Sequence, residues 1–261
     1  MKSVNGGQRG EPIRIIAEGG INHNGDASAA CDLVEMASRC GADLIKFQKR
    51  DPEICVPLDA RQQVRSTPWG DMSYLDYKKR IELSLDDYRL IDECARECGI
   101  DWFVSSWDIP SQEAMRVFNS PVNKIASAML THVELLKVVA EEGKPTFIST
   151  GMSTLEEIDR AVEIFINREC PFVLMHAVST YPAGDSELNL RIIQRLGERY
   201  GVAVGYSGHE TSVSPTVVAA ALGAVVVERH ITLDRASWGT DQAASLEEPG
   251  LTSLVTILRR L

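Results

Sequence analysis

Residues 202–230 read VAVGYSGHETSVSPTVVAAALGAVVVERH and decide the fold. Two apolar runs in this stretch lead to His209 and His230, and helical periodicity fills the interval between them. The spacing of 21 residues (230 − 209) therefore corresponds to one strand–helix unit. In a barrel of parallel strands, neighbouring strands end at the same rim. We expect the two imidazoles to lie side by side there, where a divalent metal could bridge them.

The same alternation runs through the whole chain. Short runs rich in Ile, Val or Phe, typical of strands buried on both faces, occupy residues 13–17, 43–47, 101–104, 122–125, 145–148, 172–175, 202–205 and 225–227. Helical periodicity occupies residues 27–39, 85–97, 111–118, 132–142, 155–166, 188–199, 212–222 and 248–260. Eight strand–helix units in 261 residues predict an α/β fold, a single-domain (β/α)8 TIM barrel, rather than an open doubly wound sheet.

Helix start and stop signals support these boundaries. Asp26 is placed to cap the first helix, and Ser153 with Glu156 has the spacing of a capping box. Five helices are followed by a glycine, as expected of left-handed C-caps. These glycines are Gly41, Gly99, Gly143, Gly201 and Gly223.

Composition excludes several classes of partner. The formal net charge of −10 disfavours nucleic acid, because a phosphate backbone attracts cationic surfaces. No run approaches about 18 consecutive apolar residues, so we expect no membrane span. Residues 1–10 lack the apolar segment of a signal peptide. The six cysteines contain no CxxC pair and are expected to be reduced, mostly buried thiols of a cytoplasmic protein.

An insertion at residues 48–84 interrupts the alternation after the second strand. It contains Pro57, Pro68 and several aromatic residues, among them Trp69, Tyr74 and Tyr77. A loop of this length in a compact domain is usually functional or disordered. Its place after a strand predicts a lid over the carboxyl-terminal rim, and inert packing is the alternative.

Polar side chains are concentrated at the strand ends, where barrel enzymes carry their chemistry. In chain order these residues are Glu18, Asn22, His23, Asn24, Lys46, Gln48, Ser105, Ser106, Lys124, Ser127, Ser149, Thr150, His176, Ser179, Tyr181, Ser207, His209, Glu210, Glu228 and His230. Four of the five histidines are among them, and only His132 opens a helix instead. We interpret this concentration as functional.

Two lysines indicate an anionic ligand. Lys46 and Lys124 have apolar neighbours, and a lysine in a barrel strand must face the lumen or be costly to bury. Together with the hydroxyls they predict a phosphate or a carboxylate in the lumen. One of them could instead form a Schiff base, as in barrel aldolases. Two imidazoles and few carboxylates favour Mn²⁺ or Zn²⁺ over Ca²⁺.

With these residues in place, the chain resembles the sialic acid synthase family, the phosphoenolpyruvate-dependent nonulosonate synthases. The matching segments cover nearly the whole chain in order. They are IAEGGINHNG at 16–25, GADLIKFQ at 41–48, KIAS at 124–127, ISTGM at 148–152, STYP at 179–182, GYSGH at 205–209, ERH at 228–230 and DQAASLE at 241–247.

The resemblance implies a role for each site residue. His209 and His230 are implied to be the two protein ligands of a catalytic metal. Glu18 and Lys46 are implied to lie close to the reacting carbons, and Asp241 to contact the sugar. The residues implied to hold the phosphate and carboxylate of phosphoenolpyruvate are Ser106, Lys124, Ser127, Ser149, Ser179 and Ser207. We expect three further strand-end residues, Asn22, Gln48 and Tyr181, to contact the sugar.

The implied reaction joins phosphoenolpyruvate to an open-chain aldose, either N-acetylmannosamine-like or mannose-like and with or without a phosphate. It gives a nonulosonic, sialic-type acid and phosphate. A metal that polarises the aldehyde suits a weak carbon nucleophile. Mn²⁺ is the implied ion, with Zn²⁺, Co²⁺ and Mg²⁺ as alternatives. We expect a homodimer or a higher homo-oligomer.

Two features depart from the family pattern. Members often carry Glu two residues after the serine of the KIAS segment, where this chain has Met129. A typical member also continues into a small antifreeze-like domain that completes the partner's sugar site, whereas this sequence ends at Leu261. We therefore expect a single domain, and a sugar site completed by the insertion or an acceptor without the acylamino group.

Three alternatives remain open from the residues. One is a phosphoenolpyruvate-dependent synthase of another 3-deoxy-ulosonic acid. The second is a Schiff-base sugar aldolase that works through Lys46 or Lys124. The third is a barrel that binds a sugar without turnover, with Met129 as its mark.

Overall fold

The computed structural model describes residues 12–261. Residues 1–10, for which we predict no signal peptide, lie outside this part. The strands are β1 (Arg14–Gly20), β2 (Leu44–Lys49), β3 (Val64–Thr67), β4 (Gly70–Ser73), β5 (Asp101–Ser106), β6 (Asn123–Ile125), β7 (Thr146–Ser149), β8 (Phe172–Ala177), β9 (Val204–Gly208) and β10 (Val226–His230). The α-helices are α1 (Ala27–Cys40), α2 (Pro52–Cys55), α3 (Tyr74–Ile81), α4 (Leu85–Cys98), α5 (Ile109–Met115), α6 (Val133–Ala140), α7 (Leu155–Asn167), α8 (Ile192–Tyr200), α9 (Ser214–Ala221) and α10 (Glu248–Leu258).

Eight parallel strands close into a barrel in the order β1-β10-β9-β8-β7-β6-β5-β2. A helix follows each of these strands, and β3 and β4 form a separate antiparallel hairpin. The predicted (β/α)8 barrel is therefore confirmed. In the register of β1 and β10, Glu18 lies opposite His230, which brings two predicted site residues to the same height of the wall.

Several strands extend further than their apolar runs. β5 continues through Ser106, β9 through Gly208 and β10 through His230. A prediction from apolar periodicity places the end of a strand where its side chains become polar. The main-chain hydrogen bonds of a strand do not depend on side-chain polarity and continue further. The polar residues at the rim are therefore held on regular strands, which fixes their direction more firmly than a loop would.

Local capping explains most helix boundaries. Asp26 accepts hydrogen bonds from the backbone of α1, as predicted. The capping box of α7 is formed by Thr154 and Glu157, one residue later than the predicted Ser153 and Glu156. Each of the five predicted C-cap glycines has a positive φ. Helix α8 begins at Ile192 instead of residue 188, since the positive φ of 45° at Asn189 breaks the first turn.

Apolar packing supports the rim from below. One cluster fills the space between the barrel and the helices, and a second fills the lumen with Ile16, Phe103, Phe147, Met175, Val226 and their neighbours. Gly205 is required in this second layer, because a Cβ there would lie 2.4 Å from Met175 Sδ and Val226 Cγ1. The lower lumen is therefore closed, and only its upper end can hold a ligand.

The insertion forms α2, the β3–β4 hairpin and α3. It packs against the loop after β10: the ring centroids of Trp69 and Tyr77 lie 5.7 and 5.2 Å from that of Trp238. Beyond Gln48, it supplies no residue to the lining of the cavity at the barrel mouth. The insertion thus lies beside the mouth, and the predicted lid over it is not seen.

No helix within residues 12–261 has the length and apolar character needed to cross a membrane. All six cysteines are free; Cys40 and Cys170 are buried and the other four are half-buried.

Candidate active site

The polar strand ends enclose a cavity of about 170 Å³ at the carboxyl-terminal rim. Eleven of the predicted site residues line it: Glu18, Lys46, Gln48, Lys124, Ser127, Ser149, Ser179, Tyr181, Ser207, His209 and His230. A larger cavity, of about 730 Å³, lies beside the first residues of β8 and β9 and is mainly apolar. The smaller cavity is the candidate active site, because a binding site needs convergent polar groups as well as volume.

Ser106 is a predicted site residue that does not line the cavity. It is buried, and its neighbour Ser105 lines the cavity in its place. Successive side chains of a strand face opposite sides, so an error of one residue in phase exchanges the two serines. Ser105 Oγ is buried without a hydrogen-bond partner in residues 12–261, which leaves it free to contact a ligand.

Asn22 and Asp241 also lie outside the cavity lining. The Asn22 side-chain amide donates to the Ile231 carbonyl and to Ser245 Oγ, both at 2.8 Å. Asn22 thus ties the loop after β1 to the segment after β10. Asp241 lies closer to the chemistry, since its Oδ2 is 3.7 Å from His230 Nδ1.

Six lining residues had been assigned no role in the site: Ser105, Trp107, Ala126, Ala128, Met152 and Glu228, although Ser105 and Glu228 were among the polar strand-end residues. Glu228 could have been predicted as a lining residue, because it lies two residues before His230 and alternate residues of a strand share a face. Met152 has a positive φ of 61° and is 71% exposed. Met129, in contrast, packs against the apolar core and does not line the cavity.

The two histidines face each other as predicted. Their ring centroids are 5.4 Å apart. His209 Nδ1 bonds the Val178 carbonyl, and its Nε2 is 2.9 Å from the Tyr181 hydroxyl. His230 Nδ1 is buried and has no hydrogen-bond partner among the described residues.

This pair fits a divalent metal with two protein ligands. Burial, reinforced by the repulsion that a protonated His230 would exert, lowers the pKa of His209 to about 4, and burial also lowers the pKa of His230. Both rings are thus neutral near pH 7, the form that binds metals. Within residues 12–261 no three His, Cys, Asp or Glu residues form a metal-binding group. Other positions around an ion would fall to water or substrate.

Beside the histidines, two lysines and two glutamates form a buried charge array. Lys46 Nζ lies 3.1 Å from Glu18 Oε1 and 3.4 Å from Glu228 Oε1. Lys124 Nζ lies 3.1 Å from Glu228 Oε2. Ser207 Oγ donates to Glu228 at 3.1 Å. The lysines are therefore balanced by carboxylates, a pairing that the sequence analysis did not predict.

The two carboxyls of the array have pKa values far apart. Burial raises the pKa of Glu18 to about 7 against the opposing charge of Lys46. For Glu228, burial is outweighed by Lys124 and Lys46, and its pKa falls to about 2. Burial also lowers the pKa of Lys124, whereas the two carboxylates outweigh burial at Lys46 and raise its pKa. Such separation typically distinguishes a proton carrier from a fixed charge.

We expect the Glu18 carboxyl to titrate near pH 7 in the folded protein. Below that pH the Glu18 carboxyl should be protonated, because burial disfavours the carboxylate form. Its contribution to stability should be complete below the ordinary value of 4.5 and be lost as the pH rises through 7. NMR of ¹³C-labelled glutamate carboxyls measures this, with Glu18→Gln for assignment. A Glu18 signal that titrates near 4.5 would contradict the prediction.

Hydroxyls cluster on the opposite wall. Ser127 Oγ accepts a hydrogen bond of 3.1 Å from the Gly151 amide. A Cβ at Gly151 would lie 2.4 Å from Ser179 Oγ and 2.8 Å from Ser127 Oγ, so only glycine lets these hydroxyls approach. They line the same cavity as Lys124, as the anion site requires.

The remaining strand-end histidines serve the structure. His176 Nε2 bonds the Leu188 carbonyl at 2.7 Å, and His23 Nδ1 accepts from the Gly25 amide. Neither lines the cavity. Interpreting all four strand-end histidines as a functional cluster was therefore wrong for two of them: a strand end supplies both lumen-facing and outward-facing positions.

Comparison with known proteins assigns the family. The model of the NeuB family matches residues 33–261. The chain belongs to the NeuB family. Membership confirms the resemblance and the enzyme class that it implied, a phosphoenolpyruvate-dependent transferase that forms carbon–carbon bonds.

Several NeuB relatives are similar over nearly the whole chain. The human N-acetylneuraminate-9-phosphate synthase is 37% identical over 257 residues, which cover 97% of this chain and 71% of that protein. The N,N'-diacetyllegionaminic acid synthase of Campylobacter jejuni is 34% identical and is covered to 75%. The sialic acid synthetase of Leptospira borgpetersenii, solved with citrate, superposes with a TM-score of 0.88 at 31% identity, covering 96% of this chain and 84% of that one.

Proposed function

We propose that this protein condenses phosphoenolpyruvate with an open-chain aldose, in the presence of a divalent metal, to give a nonulosonic acid and phosphate. One observation carries the proposal: a pair of neutral imidazoles and a lysine–glutamate array line the same small cavity. The names of the relatives, synthases of N-acetylneuraminate 9-phosphate and of diacetyllegionaminic acid, agree with it.

The donor belongs at the lysine and serine wall. Lys124 and the hydroxyls of Ser127 and Ser149 offer a cation and hydrogen-bond donors to a phosphate or carboxylate. Ser105 Oγ, which has no hydrogen-bond partner within residues 12–261, adds a further donor on the strand position that pairs with Lys124. Glu228 favours the charged form of both lysines before the donor arrives, since it lies within 3.4 Å of each ammonium.

The aldehyde end of the acceptor belongs at the histidine pair. His209 and His230 would hold a divalent ion, for which we propose Mn²⁺. Such an ion, when bound, acts as a Lewis acid on a carbonyl oxygen. Gln48 and Tyr181 line this part of the cavity, and Asp241 lies beside His230, so these three would position the sugar hydroxyls.

Glu18 is the proton carrier of the proposed reaction. The donor's methylene carbon bonds to the aldehyde carbon, water adds to the carbon that bears phosphate, and the C–O bond to phosphate breaks. The water must give up a proton in this sequence. Glu18 can accept it at Oε2, a buried oxygen without a hydrogen-bond partner among the described residues. Lys46, 3.1 Å from Glu18, would stabilise the resulting anions.

Two further expectations join this proposal. The free thiols are compatible with a reducing, cytoplasmic location. The partners would be phosphoenolpyruvate, an aldose and further copies of the chain in a homodimer or higher homo-oligomer, whose state size-exclusion chromatography with light scattering measures.

Phosphate release is the test of the proposed reaction. We expect phosphate release from phosphoenolpyruvate only when an aldose is present. A chelator should abolish this release, and added Mn²⁺ or Zn²⁺ should restore it. Mannose, N-acetylmannosamine and their 6-phosphates form the panel. No release with any aldose and any metal would overturn the proposal. Borohydride trapping of a pyruvate adduct without metal would support the Schiff-base aldolase instead. Sugar binding without phosphate release would support the non-catalytic barrel.

A further inference from the structure

Arg50 is a buried arginine whose guanidinium reaches the reaction centre through another side chain. It directly follows β2, is 6% exposed and does not line the active-site cavity. Its Nη2 donates a hydrogen bond to Gln48 Oε1. Gln48 does line the cavity, and its Nε2 donates to Glu18 Oε1 at 3.0 Å. Arg50 is therefore separated from the proposed proton carrier by a single side chain.

The chemistry of its two neighbours decides the orientation of the Gln48 amide. A side-chain amide has an acceptor oxygen and a donor nitrogen, and rotation about the last bond exchanges their positions. A guanidinium carries only donors, so the amide oxygen must face Arg50. The amide nitrogen then faces Glu18, where it finds an acceptor. Without Arg50, a protonated Glu18 carboxyl could bond either end of the amide.

The oriented amide distinguishes the two carboxyl oxygens of Glu18. Oε1 faces two donors, Gln48 Nε2 at 3.0 Å and Lys46 Nζ at 3.1 Å. Oε2 is buried and has no hydrogen-bond partner within residues 12–261. A proton on Oε1 would be placed against both donors. The neutral form of Glu18 therefore carries its proton on Oε2.

Arg50 itself is held by the barrel and by the insertion. Its Cζ lies 4.4 Å from the ring centroid of Trp107, which directly follows β5. Glu82, near the end of the insertion, accepts a hydrogen bond of 2.9 Å from the Arg50 backbone amide. The other carboxylate oxygen of Glu82 lies 3.5 Å from Arg50 Nε. The insertion thus helps to fix the guanidinium, and the guanidinium fixes Gln48.

We propose that Arg50 is a positioning residue that orients the Gln48 amide and thereby directs the proton of Glu18 to Oε2. This inference rests on the proposed function, in which Glu18 accepts the proton of the attacking water at that oxygen. A reversed amide would present its oxygen to Glu18 and draw the proton to Oε1. The insertion, which does not cover the mouth, would then contribute to the reaction through Glu82 and Arg50.

Arg50→Met tests the positioning, because methionine keeps much of the side-chain volume and removes the donors. We expect kcat to fall about tenfold, the value of one lost hydrogen bond, while the KM for phosphoenolpyruvate stays within about twofold of wild type. The variant should fold, since Glu82 keeps Lys49 Nζ at 3.1 Å. Circular dichroism checks this.

Lys49→Met is the matched control for the same carboxylate. The Lys49 ammonium bonds Glu82 and the Leu83 carbonyl and does not bond Gln48. We expect kcat of Lys49→Met to equal that of wild type. An equal loss of kcat in Lys49→Met and Arg50→Met would overturn the proposal, because the effect would then come from the Glu82 contact alone.

A double-mutant cycle separates positioning from a general structural role. In a Gln48→Met background, Arg50→Met should lower kcat by less than about twofold, because no amide remains to be oriented. A tenfold loss in both backgrounds would overturn the proposal, since Arg50 would then act independently of Gln48. An unchanged kcat in the single variant Arg50→Met would overturn it as well.

An NMR measurement separates this inference from the proposed reaction. The side-chain amide protons of Gln48, assigned with Gln48→Met in ¹⁵N-labelled protein, should exchange with solvent about fivefold faster or more in Arg50→Met than in wild type. Lys49→Met should leave their exchange rate unchanged. Faster exchange in Arg50→Met, in a protein that releases no phosphate, would support the positioning and overturn the reaction. Equal exchange in wild type and Arg50→Met would overturn the positioning alone.

Discussion

His209→Ala and His230→Ala are each expected to lower kcat/KM by about 10³-fold, the equivalent of about 4 kcal/mol of lost transition-state stabilisation by a Lewis acid. The proposed metal site offers only two protein ligands within residues 12–261, so the loss of either would leave an ion with a single anchor. The measurement is phosphate release with a saturating aldose and Mn²⁺. Mn²⁺ binding, followed by electron paramagnetic resonance, should weaken in parallel.

The same substitutions should leave the protein folded. Within residues 12–261, the His209 ring makes hydrogen bonds only to the Val178 carbonyl and the Tyr181 hydroxyl, and His230 Nδ1 makes none. His176→Ala is the matched control, because His176 and His209 are both 5% exposed strand-end imidazoles and only His209 lines the cavity. We expect His176→Ala to lose stability but retain turnover. Full activity in either ligand variant, or equal loss in the control, would remove the metal from the proposed mechanism.

The fold was predictable because it depends on features that a single chain displays locally. The lower part of each barrel strand is buried on both faces and reads as an uninterrupted apolar run. The helices between them show their own caps, such as Asp26 and the glycine at position 41. Neither signal needs a distant residue. Errors arose where two neighbouring residues could both form the helix cap: the N-cap of α7 is Thr154 and not the predicted Ser153.

The sequence identified most residues of the site. It did not show which of two neighbouring residues faces the lumen, or which residues pair across the barrel. Ser105 and Ser106 are chemically equal, and only the direction of β5 decides which one faces the lumen. Lys46 and Lys124 indicated an anion, but Glu228, which neutralises Lys124, lies 104 residues from it in sequence. The contact of Trp69 with Trp238 is also long-range, so periodicity could not place the insertion beside the mouth.

A buried ion pair behind the histidines should have the largest effect on stability. Arg229 and Glu210 are each 1% exposed, and Arg229 Nη1 lies 3.1 Å from Glu210 Oε1. Arg229→Met should lower the free energy of unfolding by about 3–5 kcal/mol, because it leaves a buried carboxylate without its countercharge. Urea unfolding followed by circular dichroism measures the loss.

The matched control is Arg199→Met. Arg199 pairs with Asp159 through two hydrogen bonds, of 3.1 and 2.7 Å, but both side chains are nearly half exposed. We expect this variant to lose about 1 kcal/mol or less. Replacing Glu210 by Gln in the Arg229→Met background should recover part of the larger loss, since the orphaned charge is then gone. Equal losses in Arg229→Met and Arg199→Met would show that burial does not strengthen this pair.

The pair also connects the two proposed metal ligands. Glu210 follows His209 and Arg229 precedes His230, and the Arg229 guanidinium donates to the carbonyl oxygens of Glu210 and Ser212. It thereby ties β10 to the loop after β9. Arg229→Met should therefore weaken Mn²⁺ binding even at low temperature and without denaturant, where the variant remains folded. Arg199→Met should not, because its ion pair lies between α7 and α8 on the outside of the barrel.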